Sequence, residues 1–177
     1  MTILARFLAC AALVAALVTP VPAQSGDEAV PPGRGSSFPA FSLPDVNGKQ
    51  VSLQDFKGKA ILLSFWSCYT DTCFTSVRVI EELLKEYSDR GLVAPTICSE
   101  LPPALEKNGY EGLLKQCGTG QIVLIDKNRQ LTKSLGITEY PTTYLIDRNY
   151  VVWQVLGGVR PLMTEDFRSL VKSLVTE

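Results

Sequence analysis

The sequence contains no histidine. That absence excludes Ser-His-Asp and Cys-His catalysis, histidine-ligated zinc or copper, and any acid-base step through an imidazole. An excess of charge is missing too: 17 Lys+Arg stand against 18 Asp+Glu, for a formal net charge of −1 over 177 residues. The chain is neither basic enough to call for nucleic acid nor acidic enough for a solvating tail. There is no internal repeat, and no low-complexity segment after Ser37. Chemistry is left to carboxylates, thiols, hydroxyls and the backbone, and five cysteines make thiols the first suspect. Length and a hydrophobic share of 46% fit one globular domain.

The N-terminus bears on compartment. Arg6 is the only charge before Asp27, and Phe7 to Val18 is an unbroken apolar run of twelve residues. Such a run spans roughly 18 Å as a helix, short of the roughly 30 Å bilayer core. Pro20, Pro22 and the small Val21-Pro22-Ala23 exit follow. The pattern predicts a secretory signal peptide over residues 1–23, cleaved after Ala23, and an exported, periplasmic protein. The alternative is an uncleaved segment that breaks at Pro20 and tethers the chain to the membrane. Cleavage would remove Cys10 and leave Cys68, Cys73, Cys98 and Cys117 where disulfides can form, with their connectivity open.

Residues 24–37, rich in Pro, Gly and Ser, read as a flexible lead-in to a domain over 38–177. Phe41–Leu43 and Gln50–Leu53 predict a small hairpin turned by Asn47-Gly48. Ala60–Trp66 (AILLSFW) lacks alternation, as in a strand covered on both faces. A helix follows through Val77, Ile80, Leu84 and Tyr87 and stops at Gly91. Leu92–Cys98 predicts a second buried strand, with Pro95 marking an edge or a bulge. A helix is expected from Pro102 towards Gln116, a strand over Gln121–Ile125 and a short helix from Arg129 to Leu135. Thr142–Ile146 and Val151–Leu156 form a hairpin, and a last helix from about Thr164 buries Phe167, Leu170, Val171 and Leu174. This order gives a mixed α/β sheet between helices. Cys68 and Cys73 fall on the turn after the first buried strand, at a helix N-terminus and the sheet's carboxyl end, where an anion is stabilised. Cys98 ends the neighbouring strand at the same edge.

The strings Lys57-Gly-Lys-Ala-Ile-Leu-Leu-Ser-Phe-Trp66 and Gly136-Ile-Thr-Glu-Tyr-Pro141-Thr-Thr-Tyr-Leu-Ile-Asp147 resemble the thioredoxin-like TlpA/ResA family of exported thiol-disulfide oxidoreductases. The resemblance runs from about Phe38 to Glu177. It implies a three-layer sandwich: a mixed central sheet with helices on both faces and an N-terminal β-hairpin. It also implies a cis peptide at Pro141 facing the redox site, protein thiols or disulfides as partners, and a membrane or periplasmic electron donor. Neither metal nor organic cofactor is expected.

The chain departs from the family where the family places its Cys-x-x-Cys. Counting from Trp66, the first cysteine's position holds Thr70 and the second holds Cys73, with an extra Cys68 upstream. The expected catalytic pair is therefore Cys68 and Cys73, spaced Cys-x4-Cys, near enough on one turn to reach the roughly 5.5 Å between Cα atoms that a disulfide needs. Either could attack, and Cys73, in the first helical turn, would have the lowered pKa. Cys98 is a third thiol at the edge, and Cys73–Cys98 pairing is sterically open. Cys117 is expected to be a buried small hydrophobe. Glu100 could move protons for a buried thiol or be a solvated acid.

Two other readings carry weight. A peroxiredoxin-like peroxidase would use Thr70-x-x-Cys73, although the arginine it needs corresponds to Pro141 here. A redox-inactive thioredoxin-like binding module would hold a partner's extended segment in a groove lined by Trp66 and the Tyr140-Pro141 edge.

Overall fold

The computed structural model describes residues 30–100 and 121–176. The expected signal peptide, the helix from Pro102 and Cys117 lie outside the described residues. A two-stranded antiparallel hairpin comes first, β1 (Ser42–Pro44) with β2 (Gln50–Ser52). Its turn is closed by the Asp45 carboxylate, which accepts the Asn47 and Lys49 N–H groups, and by Gly48 at φ +83°. Only glycine adopts that backbone readily.

The main sheet has the order β6-β5-β3-β7-β8, with β4 also pairing with β3. Its strands are β3 (Ala60–Ser67), β4 (Leu92–Val93), β5 (Pro95–Glu100), β6 (Ile122–Ile125), β7 (Thr142–Ile146) and β8 (Val152–Gly157). β3 runs parallel to β4 and β5 and antiparallel to β7. All eight residues of β3 are buried. This matches its unbroken apolar run, since helices or hairpin cover both faces of that strand. The helices are α1 (Asp71–Tyr87), α2 (Gln130–Ser134) and α3 (Glu165–Thr176).

The period of two along β3 sorts the core. Ile61, Leu63 and Phe65 face Phe38, Phe41, Leu53 and Phe56 from the N-terminal segment. Ala60 and Leu62 face α1 and α3 through Ile80, Leu83, Phe167 and Val171. Trp66 continues that second face towards the carboxyl end, where it meets Cys73, Val77 and Cys98. Upstream, the Gly35 and Phe38 N–H groups donate to Val152 and Tyr150 carbonyls, so residues 35–38 pair with the start of β8.

Two expectations are corrected. Pro95 opens an interior strand flanked by β3 and β6, because its missing N–H falls where the β3 ladder is already interrupted between Val93 and Thr96. On α3, Leu170 is 36% exposed and Val175 takes the buried position.

Candidate functional site

The site forms where β3 leaves the sheet. Up to Trp66, paired with Cys98, the β3–β5 ladder is regular, but Ser67 then pairs with Glu100, so β5 bulges by one residue. A bulge of this kind re-aims side chains at a sheet edge. Here the Cys68 N–H donates to the Glu100 carbonyl at 3.1 Å, and the Cys98 thiol approaches the same oxygen at 3.5 Å. Both cysteines are therefore held against one backbone group, with their sulfurs 3.2 Å apart. That is closer than the roughly 3.5–4.0 Å at which carbon atoms pack.

Cys68, Cys73 and Cys98 are all thiols, not disulfides. Cys68 is half-buried, while Cys73 and Cys98 are fully buried. The hydrogen bond from Cys98 holds the Cys68 thiol below the ordinary cysteine range, outweighing the opposing effect of burial. Cys73 behaves in the opposite way. Burial pushes its thiol up, against weaker opposition from the Ser67 N–H and the Thr70 hydroxyl. The expectation of a lowered pKa at Cys73 is thus corrected. Thr70 is the N-cap of α1, which makes Cys73 its third helical residue, and the side chain turns into the core with Trp66 and Val77 rather than towards water.

Glu100 is no isolated surface acid. Its carboxylate accepts the Ser67 hydroxyl at 2.8 Å and pairs with Arg129 at 3.1 Å. The Arg129 guanidinium also lies 5.7 Å from the centre of the Tyr140 ring. Tyr140 is half-buried and packs against the cluster of Trp66, Cys73 and Cys98, and the Tyr140–Pro141 peptide is cis. Burial raises the Tyr140 hydroxyl's pKa. Pro141 itself is buried.

Trp66 is fully buried, edge-to-face with Phe74 at 5.6 Å. The proposed groove lined by Trp66 is corrected accordingly: its place in the alternation directs it under α1, so it is core. The open surface beside the thiols is instead a cleft of about 500 Å³ lined by Tyr69, Ser99, Glu100, Asp126, Arg129 and Lys133, among others. Tyr69, next to Cys68, is 65% exposed.

Sequence reasoning brought Trp66, Cys68, Cys73, Cys98, Glu100 and Tyr140 to one place, but it missed Ser67, Arg129 and Asp126. Asp126 is buried, and its carboxylate accepts the Leu131 and Thr132 N–H groups and the Thr132 hydroxyl at 2.6–3.2 Å. It thereby holds the start of α2, next to Arg129. An aspartate five and six residues before such partners was the available signal. Among the described residues no group of three or more His, Cys, Asp or Glu side chains is placed to hold a metal ion. No helix among them is long and apolar enough to cross a membrane.

Residues 34–168 match the family described as Redoxin. The chain is 31% identical over 124 residues to thiol-disulfide oxidoreductase ResA of Bacillus thuringiensis subsp. konkukian, covering 70% of this chain and 69% of that protein. It is 31% identical over 125 residues to the thioredoxin-like protein YneN of Bacillus subtilis, covering 70% and 71%. Among solved structures it is similar to the exposed lipoprotein thioredoxin of Streptococcus pneumoniae, with a TM-score of 0.63 and 31% identity over 77% of this chain and 100% of that one. The fold is thioredoxin-like.

Proposed function

The chain belongs to the Redoxin family, and from that premise we propose that it is an exported thiol-disulfide oxidoreductase acting on protein thiols or disulfides, with Cys68 as the thiol that meets the partner. The observation that carries this reading is the half-buried Cys68 sulfur at the exit of β3, 3.2 Å from a second thiol. Relatives named thiol-disulfide oxidoreductase support the activity class.

A thiolate attacks a disulfide in line, forms a mixed disulfide and expels the other sulfur as a thiolate; a second thiol of the protein then releases the partner. Cys68 suits the first step because it is accessible and its thiolate is favoured. The second sulfur comes from the same cluster, where the Cys-x4-Cys spacing nominates Cys73 and the fold adds Cys98. Export rests on the leader over 1–23, with cleavage after Ala23; the lead-in over 24–37 joins the domain over 38–177 and is itself tied to it from Gly35 onward. Electrons would pass to or from a membrane or periplasmic dithiol.

Burial and a raised pKa disfavour a peroxidatic role for Cys73. The binding-module reading keeps one supporting observation, Thr70 at the helix cap where the family carries its attacking thiol. Reduction of a protein disulfide such as insulin, followed by turbidity, separates the two. Activity that disappears in Cys68→Ser supports the oxidoreductase, and an inert wild-type protein leaves the binding module.

A further inference from the structure

We propose that Cys98 is the resolving thiol, so that the redox-active disulfide of this protein joins Cys68 to Cys98 across the neighbouring parallel strands β3 and β5. This rests on the oxidoreductase reading above, and it departs from the local Cys-x4-Cys pair by placing the two sulfurs 30 residues apart in the chain.

Three observations converge on it. The two sulfurs are already 3.2 Å apart, so closing to the roughly 2.05 Å of a bond needs a displacement of about 1 Å. Both residues lie against the Glu100 carbonyl, which accepts the Cys68 N–H at 3.1 Å and sits 3.5 Å from the Cys98 sulfur, so the approach is built into the β-bulge rather than left to a mobile loop. Exposure is divided as the chemistry requires: Cys68 is open to a partner, while Cys98 is fully buried behind it and cannot be trapped by one.

Cys73 lacks these features. It sits in the third position of α1, fully buried, and burial pushes its thiol pKa up. Cys68 packs against the same cluster of Trp66, Cys73 and Val77, but the close sulfur–sulfur contact it makes there is with Cys98, at 3.2 Å.

With oxidised glutathione as the partner, the Cys68 thiolate attacks one glutathione sulfur. The Cys68–glutathione bond forms, the glutathione S–S bond breaks, and one glutathione thiolate leaves. Cys98 attacks the Cys68 sulfur; the Cys68–Cys98 bond forms, the Cys68–glutathione bond breaks, and the second glutathione leaves as a thiol carrying the Cys98 proton. Two protein thiols are oxidised and one disulfide is reduced, and a partner dithiol drives the same steps backwards.

The test is to react the reduced full-length mature chain with oxidised glutathione, block remaining thiols, and map linked peptides by mass spectrometry. Wild type is expected to show Cys68 joined to Cys98 with no lasting adduct. Cys98→Ser, shown to be folded by circular dichroism, should retain glutathione on Cys68. Cys73→Ser should still form the Cys68–Cys98 bond. A wild-type bond mapped to Cys68–Cys73, or an adduct that clears in Cys98→Ser, overturns Cys98 as resolver while leaving the oxidoreductase reading intact. If Cys68 takes no glutathione at all, both fall. The wild-type map needs no variant, so a misfolded Cys98→Ser does not spare the inference.

Discussion

The Cys68 N–H donates to the Glu100 carbonyl at 3.1 Å, while the Glu100 carboxylate accepts the hydroxyl of Ser67, the residue just before Cys68. One residue of β5 thus clamps the end of β3 at two points and sets where the Cys68 sulfur lies. Glu100→Ala removes the side-chain half of the clamp and the partner of Arg129. Because that ion pair is about one-third exposed on each side, solvent screens it and the loss is modest. Urea unfolding should show a cost of about 1–2 kcal/mol, chiefly from the Ser67 bond; no change would mean the clamp is incidental.

Alkylation should separate the thiols. Cys68 is expected to react with iodoacetamide with an apparent pKa below that of ordinary cysteine, because the Cys98 thiol stabilises its anion. Cys98→Ala should move that midpoint up. Buried Cys73 should stay unmodified until the protein is unfolded. Peptide mapping after alkylation across a pH series checks all three, and rapid labelling of native Cys73 would contradict the structure.

Stability should fall at alkaline pH, partly through Cys73. Its folded pKa is raised by burial, so the contribution of its neutral thiol is fully present below the unfolded value, near 8.5, and is lost as pH rises from there through the folded pKa. In a reductant, Cys73→Ala should therefore show a shallower decline of Tm with pH over that window, whatever its effect at pH 7. Parallel curves for the two proteins would exclude the thiol as the source.

Asp126 holds α2 by three hydrogen bonds from a buried position. Asp126→Ala leaves buried donors without partners, and chemical denaturation should register a loss of about 2–4 kcal/mol. A loss below half a kcal/mol would show that water replaces the carboxylate.

The Tyr144 hydroxyl is buried without a hydrogen-bond partner among the described residues, and burial alone raises its pKa. Its ring packs edge-on against Phe38 and Phe65. Tyr144→Phe keeps the ring and removes the unsatisfied group, so stability should rise by about 1 kcal/mol in urea unfolding. A destabilised variant would point to a partner for that hydroxyl.

Much of the fold was legible because its signals are local. The unbroken run of Ala60–Trp66 marks a strand covered on both faces, Asn47-Gly48 marks a hairpin, and the three-and-four spacing of Val77, Ile80, Leu84 and Tyr87 marks the face of α1. Pro95 misled because whether a missing N–H matters depends on which neighbouring ladder is interrupted, and that is a property of the sheet. Trp66 misled because an aromatic beside a motif reads the same whether it lines a groove or lies beneath a helix.

By itself, the sequence determined that imidazole chemistry is absent, that thiols gather at the carboxyl end of a mixed sheet, and that Thr70 stands where the related family carries a cysteine. Only the tertiary structure decided which thiols meet. Helical position turned Cys73 inward, and a one-residue bulge opposite Ser67 brought Cys68 to a sulfur 30 residues away. Periodicity reports which face a side chain takes within one element, whereas the distance between two strands' side chains depends on register and bulges that no local pattern encodes.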